Sequence, residues 1–121
     1  FSLINPGNPN MMLDCANPRT LASIENAGGL EAYQNSCENV WAIIDKLAPT
    51  GKLPRLMFAC GTEDAMIYEN LKTFRKHCGE IGLDCHWFIK EGYRHEWRFW
   101  DLAIQDALDF FGLTEQGGNP Y

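Results

Sequence analysis

A nearly continuous apolar run, RLMFACG at 55–61, constrains the fold of this chain more than any other segment. It has the length of a strand, ends at a glycine and shows no polar alternation, which is typical of a strand buried on both faces of a sheet. DCHWFIKEG at 84–92 predicts the next strand, and apolar residues at helical spacing from Ile67 to Ile81 lie between the two. A strand, a helix and a strand in succession predict neighbouring parallel strands.

The rest of the chain continues this alternation. FSLIN at 1–5 predicts a first strand that stops at PGNPN. Asn17 as N-cap and Pro18 at the first helical position predict a short helix, and apolar spacing predicts one longer helix over 30–47. The last helix has an apolar stripe, with a glycine at its end: Trp97, Trp100, Ile104, Leu108, Phe111, Gly112. The sequence therefore predicts an α/β fold with about three parallel strands flanked by helices.

Composition narrows the classes of protein and partner. A chain of 121 residues with 45% hydrophobic residues has the size of one small globular domain. The formal net charge is −6 and no basic cluster exceeds two consecutive residues, which argues against a nucleic-acid partner. No apolar run approaches the roughly 20 residues that span a bilayer. A homo-oligomer, and either a cytoplasmic or a secreted location, remain compatible with this composition.

The cysteines and two of the histidines raise the question of a metal site. Five cysteines without CxxC spacing predict mainly buried, reduced thiols. His77-Cys78 and Cys85-His86 form a symmetrical-looking set of ligands. Adjacent side chains on a helix diverge by about 100°, however, and adjacent side chains on a strand point to opposite faces. We therefore expect neither a metal site nor a cofactor.

An aspartate and a histidine follow the two predicted strands. Asp64 comes just after the 55–60 strand, and His95 comes just after the 84–90 strand. Ligands bind at the carboxyl ends of the strands in open α/β sheets. Successive strands joined by a crossover helix are usually neighbours, so we expect the two loops to lie close together. A carboxylate fixes the tautomer of an imidazole and leaves the other nitrogen to accept a proton. Asp64 as a turn former and His95 as a surface residue remain the simpler interpretations.

Residues 35–113 resemble a known family most closely in GTED at 61–64 and GYRHEW at 92–97. The sequence is similar to the C-terminal part of the esterase D-like branch of the α/β-hydrolase fold, a branch with feruloyl, acetylxylan and tributyrin esterases (carbohydrate esterase family 1-like). The resemblance implies that Asp64 is the acid and His95 the base of a Ser-His-Asp triad. It also makes Trp97 a candidate substrate contact, with Tyr68, Tyr93 and Met66 as weaker candidates.

The nucleophile of that family is missing from the chain. The family carries it in a GxSxG elbow, and none of the serines here (Ser2, Ser23, Ser36) has flanking glycines at that spacing. We therefore expect residues 1–113 to form the C-terminal segment of one α/β-hydrolase domain with an incomplete sheet, followed by a flexible tail at 114–121. Its partners would be an ester substrate and the remaining N-terminal half of the hydrolase. A non-catalytic interaction domain, and a thioesterase or S-formylglutathione hydrolase, are the alternatives.

Overall fold

The computed structural model describes residues 18–113. They form two compact units, which we name the helical unit (18–54 and 70–83) and the strand unit (55–69 and 84–113). The predicted strand at 1–5, the predicted N-cap Asn17 and the predicted tail at 114–121 lie outside the described residues.

The helical unit is built from four α-helices. Helix α1 covers Pro18–Asn26, α2 covers Leu30–Gln34 and α3 covers Val40–Leu47, followed by a 3-10 helix at Ala48–Thr50. Helix α4, Tyr68–Glu80, contributes its part from Asn70 onward. The buried side chains of the helical unit are mainly apolar: Ile24, Tyr33, Trp41, Ile44, Leu71, Phe74, Cys78. Burial of this apolar stripe is what stabilises such short helices, which are marginal in isolation.

The single helix predicted over 30–47 is wrong, because the structure has two helices there. Helix α2 ends at Gln34 and α3 begins at Val40. The Ser36 hydroxyl donates to the Tyr33 carbonyl, and the Asn39 amide donates to the Gln34 carbonyl at 3.0 Å. Asn39 Oδ1 also accepts from the Ala42 N–H at 3.3 Å as the N-cap of α3. These side chains satisfy the backbone groups that a continuous helix would otherwise pair.

Replacing Asn39 with Ala should destabilise the helical unit by about 2 kcal/mol. Asn39 is fully buried, at 0% exposure, so the change removes a helix cap and leaves the partly buried Gln34 carbonyl without its side-chain donor. Urea denaturation should detect the loss as a lower midpoint. Asn35→Ala is the matched control, since the exposed Asn35 amide also donates to a backbone carbonyl yet should change stability by less than about 0.5 kcal/mol. Equal effects at the two positions would contradict the assignment.

The strand unit contains a two-stranded parallel sheet and one helix. Strand β1, Met57–Gly61, pairs with β2, His86–Lys90, in a register that sets Met57 opposite His86 and Gly61 opposite Lys90. Helix α5, Trp97–Phe111, contacts both strands. The predicted parallel pairing of these segments is confirmed, and the described chain is mixed helix and strand. The burial predicted for both faces of β1 is wrong, because Ala59 is exposed.

The sheet-facing side of α5 differs from the predicted stripe. Phe99 is its buried residue, whereas Trp97 is 82% exposed and Ile104 is also exposed. The sequence favoured the tryptophans because of their spacing along the helix. Since α5 carries apolar residues on two sides, periodicity alone does not decide which side packs on the sheet.

Contacts near the end of α5 hold it against β2 and against Arg55, which precedes β1. The Arg55 guanidinium donates to the Phe110 carbonyl and lies 4.1 Å from the centre of the Phe110 ring. The His86 ring stacks on Phe110 at 4.6 Å, and its Nε2 lies 2.5 Å from Asp106 Oδ2. These contacts use a carbonyl that the end of a helix leaves unpaired. They hold the C-terminal end of α5 in place.

The histidines that the sequence suggested as metal ligands each contact a different aspartate. His77 Nε2 lies 2.5 Å from Asp45 Oδ1 in the helical unit, and no group of three potential ligand side chains converges within residues 18–113. Cys60 and Cys78 are buried as predicted, whereas Cys37 is exposed. Across the same residues, no helix combines the length and apolar character needed to cross a membrane.

Candidate functional site

Asp64 and His95 meet where the two strands end. The loop after β1 brings in Asp64 and the loop after β2 brings in His95, and His95 Nδ1 lies 2.8 Å from Asp64 Oδ2. Asp64 is 5% exposed, whereas the His95 side chain is 40% exposed. A carboxylate only accepts hydrogen bonds, so Nδ1–H of His95 is the donor and Nε2 is the nitrogen left to exchange a proton.

The two oxygens of Asp64 have different partners. Oδ1 accepts from the backbone N–H groups of Met66 at 3.0 Å and Ile67 at 3.2 Å, which closes the turn before α4. Oδ2 faces His95. Asp64 therefore acts as a turn former through one oxygen and as the histidine's partner through the other. The sequence left open whether Asp64 is a turn former or the partner of His95, and in the structure it makes both kinds of contact.

The aromatic residues after His95 restrict its ring. Trp100 meets the imidazole edge-to-face at 5.0 Å between ring centres, and Trp97 meets Trp100 at 4.7 Å. Edge-to-face aromatic contacts at this separation are attractive. With Nδ1 held by Asp64 and one side of the ring held by Trp100, the imidazole has a defined orientation.

An open groove of about 390 Å³ begins at the Asp64–His95 pair. Its walls are apolar and come from β1, the loop before α4 and one side of α5: Met57, Ala59, Ile67, Phe99, Trp100, Ala103, Ile104, Ala107, Phe111. Apolar walls with a few convergent polar groups are characteristic of small-molecule sites. The groove thus places the Asp64–His95 pair beside an apolar surface.

The predicted substrate contacts Trp97, Tyr93 and Tyr68 are not among the described residues that line the groove. Trp97 is exposed and contacts Trp100, which lines the groove. The Tyr93 ring lies under the Arg98 guanidinium, 4.8 Å from it, and Tyr68 begins α4. Sequence reasoning missed Phe99 and Ile67 as lining residues. The apolar character of α5 on two sides was the signal that could have indicated Phe99.

The strand unit offers few side chains that could act as a nucleophile. Residues 55–69 and 84–113 contain no serine. Burial, and secondly the charge of Asp64, raises the pKa of the Cys60 thiol from 9.0 to about 11, which leaves it almost wholly protonated and unreactive at neutral pH. The Thr62 hydroxyl accepts from the Gly92 N–H at 3.1 Å. The histidine therefore lacks an evident serine partner within this unit.

Comparison with known proteins shows that the chain is similar to an esterase. It is 31% identical over 84 residues to an acetyl esterase of Caldicellulosiruptor saccharolyticus, a match that covers 69% of this chain and 31% of that esterase. The similarity relates the chain to the ester hydrolases. The matched part spans about a third of the length of this relative. No family model matches the chain, and no solved structure matches it.

Proposed function

We propose that this chain supplies the acid and the base of a serine esterase that hydrolyses carboxylic esters, with Asp64 as the acid and His95 as the base. The 2.8 Å contact between the buried Asp64 carboxylate and His95 Nδ1 carries the proposal. The similarity to an acetyl esterase supports it independently. Residues 1–113 would then form the C-terminal segment of an α/β-hydrolase domain.

The chemistry follows from the two ends of the imidazole. His95 Nε2 accepts the proton of a serine hydroxyl as the serine oxygen attacks the ester carbonyl. The same proton passes to the departing alcohol, which leaves an acyl-enzyme. His95 then takes a proton from a water molecule that attacks the acyl carbonyl, and passes it to the serine oxygen as the bond to the acyl group breaks and the carboxylic acid leaves. Throughout, the Asp64 charge stabilises the imidazolium that forms and holds its Nδ1–H in place.

The substrate is proposed to carry a short acyl group, with acetyl first. The name of the relative favours an acetyl ester, and the resemblance to acetylxylan and feruloyl esterases adds plant polysaccharide as the alcohol. The apolar groove beside His95 would hold the acyl chain or the ring of a larger acid. Trp97 stands exposed next to it and would contact the alcohol part, with Tyr93 and Tyr68 as secondary contacts.

The serine is proposed to come from outside these 121 residues. In the strand unit the side chain next to Asp64 that could react is Cys60, whose pKa of about 11 makes it a poor nucleophile. An exposed apolar residue of α5 outside the groove, Leu108, would pack against the segment that carries the nucleophile. That segment would also supply the oxyanion-hole donors.

A second candidate function is a non-catalytic interaction domain. The observation that favours it is the lack of any serine in residues 55–69 and 84–113. In that case Asp64 would serve only to close the turn before α4. His95 would serve only as a hydrogen-bond partner that shields the Asp64 carboxylate.

A fluorophosphonate probe, which phosphonylates an activated serine, separates the two candidates. The probe should be applied to the natural polypeptide or complex that contains this sequence, and the labelled site mapped by mass spectrometry. We expect one labelled serine, outside these residues, and loss of labelling in His95→Gln. His77→Gln is the matched control, since His77 also contacts an aspartate and should keep full labelling. Absence of any labelled serine, or full labelling of His95→Gln, would reject the esterase.

A further inference from the structure

The loops that carry Asp64 and His95 are joined by hydrogen bonds and a close backbone contact, which we together name the loop clasp. On one side are Gly61, Thr62 and Glu63, and on the other Lys90, Gly92 and Tyr93. The Thr62 N–H donates to the Lys90 carbonyl at 2.9 Å and the Glu63 N–H donates to the Tyr93 carbonyl at 2.9 Å. The Gly92 N–H donates to the Thr62 hydroxyl oxygen at 3.1 Å. These bonds continue the pairing of β1 and β2 beyond the ends of the strands.

Gly61 is the point of closest approach in the loop clasp. A Cβ atom placed on it would lie 2.1 Å from the Tyr93 carbonyl oxygen and 2.6 Å from the Tyr93 carbonyl carbon. Both atoms belong to the backbone, so a side chain at 61 would displace the Tyr93 peptide itself. The φ angle of Gly61 is not in the left-handed region. Space, and not backbone conformation, therefore requires glycine at this position.

Of the two loops, the one that carries His95 depends more on the loop clasp for its position. Asp64 is held from within its own loop, because Oδ1 accepts two backbone N–H groups. His95 follows Tyr93 by two residues and Gly92, with φ of 77°, by three. We therefore expect a shift of the Tyr93 and Gly92 peptides to displace the imidazole more than the carboxylate.

We propose that Gly61 and Thr62 are positioning residues that set the hydrogen bond between Asp64 and His95 by holding the Tyr93 and Gly92 backbone against the end of β1. The catalytic consequence rests on the proposed esterase function, but the geometric claim does not. Without the loop clasp, His95 would leave Oδ2 of Asp64, and the imidazole would lose the contact that selects its Nδ1–H tautomer.

The tautomer of His95 provides a direct readout. The chain has three histidines; His77 and His86 approach their aspartates through Nε2, and His95 approaches Asp64 through Nδ1. The ¹⁵N chemical shifts of the neutral imidazoles distinguish these two tautomers. We expect the unaltered chain to show one histidine with the proton on Nδ1, and this signal belongs to His95.

Gly61→Ala should convert the His95 signal toward the Nε2–H tautomer and leave the other two histidines unchanged. Gly79→Ala is the matched control, because a Cβ on Gly79 meets nothing within 4 Å and alanine favours a helix over glycine. It should leave all three signals in place. A folded Gly61→Ala chain with an unchanged His95 signal would overturn the role of Gly61.

A second pair of variants tests the proposal where Gly61→Ala fails to fold. Thr62→Val keeps the shape of the side chain but removes the oxygen that accepts from the Gly92 N–H, whereas Thr62→Ser keeps that oxygen. We expect a partial change of the His95 tautomer in Thr62→Val and recovery of the original signal in Thr62→Ser. Identical spectra for the two variants would reject the role of the hydroxyl.

Kinetics of the natural esterase connect the geometry to catalysis. Displacing a catalytic group by about 1 Å can lower the rate by about 100-fold, so we expect Gly61→Ala to lower kcat by about that factor with little change in KM. A loss confined to KM would contradict a positioning role. Absence of esterase activity in the unaltered protein would reject the proposed function, whereas the tautomer measurements would still decide the role of the loop clasp.

Discussion

Asp64→Asn should lower kcat of the proposed esterase by about 10⁴-fold, the loss found when the aspartate of a comparable triad is replaced. The asparagine keeps an oxygen that can accept from the Met66 and Ile67 N–H groups, as Oδ1 of Asp64 does. The turn before α4 should therefore persist. What is lost is the charge facing His95 Nδ1, which stabilises the imidazolium and selects the tautomer with Nε2 free to accept a proton.

Steady-state hydrolysis of an acetyl ester, with kcat and KM separated, is the measurement. Asp45→Asn is the matched control, because Asp45 contacts His77 in the helical unit as Asp64 contacts His95 in the strand unit. It should retain activity within a fewfold of the unaltered enzyme. If Asp64→Asn also retained its activity, Asp64 would be a turn former alone and the triad assignment would fall.

Phe74→Ala should lower the free energy of unfolding by about 3 to 5 kcal/mol, the range for removing a buried phenylalanine ring. Phe74 on α4 is 0% exposed, and its ring meets Trp41 of α3 edge-to-face at 4.9 Å between centres. The substitution leaves a cavity where two helices of the helical unit join and removes the aromatic contact. Equilibrium urea denaturation monitored by circular dichroism should report this loss.

Truncation of an exposed apolar residue in the same unit provides the comparison. Ile81, just after α4, is 41% exposed, so Ile81→Ala should cost about 1 kcal/mol or less. A similar loss for Phe74→Ala would mean that the contact between α3 and α4 contributes little to folding. The helical unit would then depend mainly on its other buried residues.

The loop clasp and Asp64 together explain how two separate loops present one pair of groups. Asp64 is fixed by its own turn, and the histidine loop is fixed by backbone contacts to Gly61, Thr62 and Glu63. The result is an Asp64–His95 pair with a defined orientation at the edge of an apolar groove. Such preorganisation is what a proton transfer during catalysis requires.

Local patterns in the sequence predicted much of the secondary structure. The apolar run that became β1, the strand β2 and the helix between them follow from side-chain periodicity and from glycines at the ends, which depend on neighbouring residues alone. The order of these elements also predicted that β1 and β2 would be parallel. It placed Asp64 and His95 after neighbouring strands, and the structure brings the two side chains together; their catalytic role stays a prediction.

The division of the predicted 30–47 helix and the packing side of α5 required the tertiary structure. Asn39 ends one helix and begins another because burial makes its hydrogen bonds to Gln34 and Ala42 worth more than a continued helix. Phe99 packs inward in place of Trp97 because the contacts of α5 with the sheet choose between two apolar sides. Neither choice is encoded in local spacing.

The sequence by itself determined the order of strands and helices, the parallel pairing of β1 and β2, and the presence of an aspartate and a histidine after them. The tertiary structure decided which oxygen of Asp64 faces His95, how closely Gly61 approaches Tyr93, and where the groove opens. The physical reason is the distance along the sequence over which each kind of interaction acts. Periodicity and turn chemistry act between residues near in sequence, whereas the site depends on atoms of residues about 30 positions apart, whose packing sets distances to a fraction of an ångström.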